Sequence, residues 1–208
     1  MEHKTLAQIK EEFVALLEET NREGIEDALD FLEKSDFYTA PASTRYHSCH
    51  EGGLLEHSMN VYKCLMEKRG NATWADILNS VEHDTIIISA LLHDICKTYF
   101  YVPEYRNKKV YNENGKKIDE GGRFDWQVVR GYSVDDKMPL GHGEKSVMLL
   151  EKYIELKSVE RYAVRWHMGF TEPKESWGTL SAAIEKYPFI LALHEADLEA
   201  TYLMESEE

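Results

Sequence analysis

Apolar residues recur every three or four positions at the start of the chain, at Leu6, Ile9, Phe13, Leu16 and Leu17, and again after Gly24 at Ile25, Leu29 and Leu32. This spacing gathers them on one helical face, so residues 1–35 are expected to form two amphipathic helices. The stretch 36–53, DFYTAPASTRYHSCHEGG, mixes a proline, small residues and a glycine pair and reads as an ordered loop. A helix follows over about 54–69 with Gly70 as its stop, Thr73 is placed to cap a short helix through Leu78, and another helix is expected over about 84–97.

The period then falls from 3.6 to 2. Residues 109–112 and 116–119 flank Asn114-Gly115, a dipeptide favoured in tight hairpin turns, and Phe124, Trp126, Val128, Arg130 and Tyr132 alternate along one face of a further strand. A small β-insertion is therefore expected over about 104–134. Helical spacing returns at 143–154, at 158–168 with Gly169 as the stop, at 179–186, and from 188 to about 204. No internal repeat or low-complexity linker interrupts the pattern. The 208 residues read as one mainly α domain carrying a hairpin or three-stranded insertion.

Charge narrows the choice of partners. The chain holds 24 Lys and Arg against 38 Asp and Glu, a net −14 that repels nucleic-acid backbones and anionic lipid, so a long nucleic acid is not an expected partner. Residues 99–134 depart from this, with seven Lys or Arg against five acids. Three cysteines, Cys49, Cys64 and Cys96, show no CxxC spacing and fit a reducing compartment. The longest apolar run, TIIISALL, is too short to span a bilayer, and the first residues lack a signal-peptide pattern. A cytoplasmic protein is expected, with its oligomeric state left open.

Nine histidines direct attention to metal or phosphate chemistry, and seven of them (His47, His50, His57, His93, His142, His167 and His194) lie near acids, glycines or other histidines. The strongest element is His93-Asp94 in SALLHDICK. Adjacent helical residues point about 100° apart, so this imidazole and carboxylate can share one ion while the apolar residues before them stay buried. Lys97, three residues after Asp94, can lean over the same pocket toward a phosphate oxygen or remain a solvated helix-end lysine. HSCH at 47–50 lacks the second Cys or His pair of a structural zinc site.

GGLLEH, LLHD with Lys97, GH at 141–142, WHMG at 166–169 and ADLEAT around Asp197 together resemble the HD superfamily of metal-dependent phosphohydrolases over roughly residues 40–200. The likeness is to the branch found in bacterial 3′-to-5′ exoribonucleases and in stand-alone bacterial and phage hydrolases. The exonuclease branch carries a nucleic-acid-binding OB-fold for which this sequence shows no segment. The resemblance implies an HD-type helical bundle, with His57, His93, Asp94 and Asp197 as metal ligands. It further implies His142 and His167 as ligands of a second ion or, around a single ion, as phosphate-binding groups. Asp94 would bridge two ions. His47 corresponds to a histidine before the glycine pair that joins the site as a phosphate-binding or supporting group. Cys96 stands where the family commonly has glycine and reads as a small buried group, and His194 as a supporting or plain interface histidine.

A mixed imidazole and carboxylate set suits one or two divalent transition ions, Mn, Fe, Co, Ni or Zn. The implied activity is hydrolysis of a phosphate ester by metal-activated water, with Asp94, Lys97, His142 and His167 as catalytic groups and His47, Lys97 and Arg130 binding substrate. A nucleotide or other small phosphorylated compound fits the acidic chain best. The competing readings are a non-catalytic, metal-dependent nucleotide-binding module and an exonuclease acting on short oligonucleotide ends.

Overall fold

The computed structural model describes residues 4–44 and 48–205. Helix α1 (Leu6–Glu19) opens on a capping box in which Thr5 and Gln8 satisfy each other's backbone groups. After a turn at Gly24, α2 (Ile25–Lys34) lays Ile25, Ala28 and Leu32 into the core. Helix α3 (Gly53–Arg69) follows the loop, and then come α4 (Ala75–Ser80) and α5 (His83–Leu92). Trp74, and not Thr73, stands at the start of α4, where the Asn71 carbonyl receives the Trp74 and Ala75 amides.

Every residue of α5 from Thr85 to Leu92 is buried, as an all-round apolar sequence requires. One side of α5 and the start of α3 join α1, α2 and α6 (His142–Leu150) in one apolar cluster around Phe13, Leu54, Ile88 and Leu91. The other side and the later turns of α3 join α4, α7 (Ser158–Trp166), α8 (Trp177–Lys186) and α9 (Phe189–Glu199) in a second, around Leu65, Ile86, Ala90 and Leu193. Helices α3 and α5 are thus the shared wall between two cores, and what they carry at their ends is held from both sides.

Helix α5 is shorter than its spacing suggests. It stops at Leu92; Asp94 leaves the helical region (φ −104°, ψ 19°), and Ile95–Lys97 form a separate 3₁₀ turn. The His-Asp doublet therefore occupies the break between two helical pieces. Helices α6 and α7 likewise end a few residues earlier than their periodicity implies, at Leu150 and Trp166, and α7 gives way to His167 and to Gly169 with φ +56°.

The insertion is a three-stranded antiparallel sheet, β1 (Tyr101–Tyr111), β2 (Lys117–Asp119) and β3 (Gly122–Val134), in the order β1-β3-β2. It begins at Tyr101, slightly before the expected boundary. The expected pairing across Asn114-Gly115 does not occur: β3 is central, Tyr111 pairs with Phe124 on one side and Lys117 with Phe124 on the other. The tight turn is Glu120-Gly121, between the paired Asp119 and Gly122. Gly115 serves a close approach instead, since a Cβ there would lie 2.4 Å from the Phe124 amide nitrogen. Among the described residues no helix is long and apolar enough to cross a membrane.

Candidate metal centre

The centre is assembled at the break after α5. Glycines 52 and 53 set its first member: Gly52 has φ +84°, and a Cβ on Gly53 would lie 2.0 Å from the Ser48 carbonyl oxygen. The loop can therefore close onto the start of α3, which carries His57 inward one turn later. His93 and Asp94 come from the end of α5, His142 from the first residue of α6, His167 from the end of α7 and Asp197 from α9. Five segments distant in sequence thus deliver the six residues expected to bind metal.

Asp94 is the hub. Its Oδ2 lies 3.7 Å from His57 Nε2, 3.5 Å from His93 Nε2 and 2.6 Å from Lys97 Nζ. Its Oδ1 lies 2.6 Å from His142 Nε2 and 3.5 Å from His167 Nε2. The imidazoles form an arc, with successive ring centroids 5.3 Å (His57–His93), 4.9 Å (His93–His167) and 5.2 Å (His167–His142) apart. Asp197 closes the arc at 3.1 Å from His57 Nε2. His57, His93 and His167 are fully buried, and Asp94 is 3% exposed.

The imidazoles are oriented from behind. His93 Nδ1 lies 2.8 Å from the Ala90 carbonyl and His167 Nδ1 2.6 Å from the Val164 carbonyl, contacts that place the Nδ1 proton outward and leave Nε2 as an inward lone pair. Both of these Nε2 atoms are buried and make no hydrogen bond. A buried acceptor without a donor costs about 1–3 kcal/mol. Two of them turned toward one carboxylate suit a shared cation, and groups of three donors within 4.8 Å of one another occur at His57, His93, Asp94 and at His93, His167, Asp197.

Burial would lower the His57 pKa, but hydrogen bonds and charges from Asp197 and Glu205 outweigh it and raise it to about 10. At His142 burial is likewise overcome, chiefly by the charge and hydrogen bond of Asp94, and the pKa rises to about 9. Burial would push Asp94 up, yet Lys97, His93 and His142 hold it well below the usual carboxylate range. Asp197 is also held low, against burial, mainly by His57.

Of the other expected residues, Lys97 does reach the centre, as the direct partner of Asp94. Cys96 is buried with its Sγ 3.3 Å from His142 Nδ1, so it touches the centre as well as filling space. His194 bonds the carbonyl of His167 at 2.7 Å, and a Cβ on Gly169 would lie 2.4 Å from its Nε2, so glycine is needed for that approach. His50 turns to Glu56 at the surface. Arg130 is half exposed on the sheet and meets Glu51 at 3.7 Å, outside the cluster. His47 lies outside the described residues. The spacing gave no hint of Glu205, whose carboxylate lies 3.1 Å from His57 Nδ1.

Part of the chain is similar to the dihydroneopterin 2′,3′-cyclic phosphate phosphodiesterase of Methanocaldococcus jannaschii, at 43% identity over 68 residues. The match takes in 30% of this chain and only 25% of the relative's length. No family model and no solved structure matches the chain.

Proposed function

We propose that this chain is an HD-type, metal-dependent phosphohydrolase that cleaves a small phosphate ester such as a nucleotide. The observation that carries the reading is the division of Asp94, one oxygen toward His57 and His93 and the other toward His142 and His167. A carboxylate so placed can serve two ions at once. The partial similarity to a phosphodiesterase supports the same reaction class.

His57, His93, Asp94 and Asp197 would hold one divalent transition ion, and His142 and His167, with Asp94, a second. When bound, such ions supply a Lewis acid that acidifies water and polarises phosphoryl oxygens. The rest falls to the chain's own groups. Lys97, its side chain 12% exposed, brings a positive charge beside Asp94 that offsets charge on an equatorial oxygen of the phosphate. His142 is the most open of the four imidazoles, at 28% exposed, and would give a proton to the leaving oxygen if it is not itself a ligand. His57, His93, Asp94 and His167 are buried away from bulk water, which strengthens each of these interactions. His47 and Arg130 are proposed to meet the substrate farther out.

The test is a panel of phosphomonoesters, linear and cyclic phosphodiesters and short oligonucleotides, assayed after chelator treatment with Mn, Co, Ni, Zn or Mg restored one at a time. Turnover restored by a transition ion is expected on a small substrate. Binding of a nucleotide with metal but without turnover would replace this reading by that of a regulatory module, and preference for oligonucleotide ends by that of an exonuclease.

A further inference from the structure

We infer that Glu205 is a positioning residue for the metal centre: it orients His57 and raises its basicity from the side opposite the ion. This role rests on the metal-dependent reading above.

The need for such a group follows from where the three buried histidines sit. His93 and His167 stand at the ends of α5 and α7, where carbonyls have no helical partner left, and each finds its Nδ1 acceptor three residues back in its own helix. His57 is in the second turn of α3. The carbonyl three residues back, Leu54, already accepts a helical bond and the Ser58 hydroxyl. Its Nδ1 therefore looks outside the helix, and Glu205 meets it with both carboxylate oxygens at 3.1 Å.

Glu205 is itself held firmly. Its side chain is 3% exposed, Ser48 Oγ donates to it at 3.0 Å and Asn60 Nδ2 at 3.0 Å. It arrives there because α9 does not simply end: residues Ala200–Met204 form a wider π-turn closed by the Glu205 amide on the Ala200 carbonyl. The same terminal segment therefore supplies a carboxylate to each ring nitrogen of His57, Asp197 to Nε2 and Glu205 to Nδ1. A carboxylate is a stronger acceptor than the carbonyls behind His93 and His167, so His57 becomes the most electron-rich imidazole of the set.

The experiment measures affinity for Mn²⁺, Co²⁺ and Zn²⁺ by chelator competition in the wild type and in Glu205→Gln, with circular dichroism and Tm to confirm equal folding. The variant is expected to bind at least about tenfold more weakly and to show a changed Co²⁺ visible spectrum, neither of which a purely structural glutamate would produce. If Glu205→Gln does not fold, Ser48→Ala and Asn60→Ala, each removing one donor to the carboxylate, are expected to weaken binding in the same direction. Normal loading of wild type and variants alike overturns the role of Glu205 and leaves the metal centre standing. A wild type that takes up none of the ions overturns both.

Discussion

Asp94 Oδ1 and His142 Nε2 lie 2.6 Å apart although 48 residues separate them in the chain. The contact ties the break after α5 to the first residue of α6 and marks the side of Asp94 that a second ion would occupy. His142→Ala and His167→Ala should each lower metal content by about one ion per chain, read by elemental analysis, if the centre holds two. Unchanged metal with weaker substrate binding would assign both histidines to phosphate.

Asp94→Asn should lose most bound metal and all hydrolysis while keeping the helical circular-dichroism spectrum. Asp94→Ala should also melt lower, because Lys97 is left without its partner at 2.6 Å, and a stranded buried charge costs on the order of 3–5 kcal/mol. Equal melting of the two variants would show that Lys97 finds another acceptor or water.

The sheet is expected to recognise substrate and to add little to the core. Register partners Tyr105–Arg130, Lys109–Trp126 and Tyr111–Phe124 put aromatics and cations on one face, where Lys109 lies 4.6 Å from the Phe124 ring centroid and Arg130 5.6 Å from that of Tyr132. Arg106 and Val129 are paired, so a Gly-Ser link can replace residues 107–128 without disturbing the base of the sheet. Cleavage of a generic activated phosphodiester should persist, while kcat/KM on the best panel substrate should fall more than about tenfold, or about 1.4 kcal/mol. Equal loss on both substrates would make the sheet structural.

Stability should depend strongly on Arg22, which sits before α2 and reaches Glu160 at 2.7 Å and Asp84 at 3.1 Å. Glu160 is fully buried, so Arg22→Met strands its charge, and a loss of about 3–5 kcal/mol corresponds to roughly 6–20 °C in Tm for a chain of this size. Burial would raise the Asp84 pKa, but hydrogen bonds from Lys157 and Arg22 bring it below its ordinary 3.8. A carboxylate depressed by folding adds stability above its unfolded pKa and loses it as pH falls through the folded one. The Tm gap between wild type and variant should therefore narrow below about pH 4.

Cys64 should be the slow thiol. Burial, with Glu199 and Glu67 nearby, pushes its pKa up to about 11, so little thiolate exists at pH 8. Timed alkylation with mass spectrometry should modify Cys49, which is partly exposed, well before Cys64.

The residues that gather around Asp94 were named through the family resemblance of their motifs, and the local signals beside them were the glycine pair before His57, the apolar run before His93-Asp94, Gly141 before His142 and the stop at Gly169. The helices were legible directly, since α1, α2 and α3 each bury a periodic face. The strand pairing was not, because Asn114-Gly115 is favoured both in hairpins and where backbone passes closely over backbone, and only the Phe124 contact separates the two. Glu205 carried no signal either: one acid among 38, between Met204 and Ser206, looks like a solvated surface charge until the π-turn brings it back to α3. Helix ends were overextended at α5, α6 and α7, and at α5 and α7 the histidine just beyond the shortened helix faces the centre.

The donors gathered around Asp94 lie between positions 57 and 197, with Glu205 behind them. A nascent chain still short of α9 thus has the doublet and several imidazoles but no means of closing the arc. An ion held between Asp94 and Asp197 would act as a clasp that joins the break after α5 to α9.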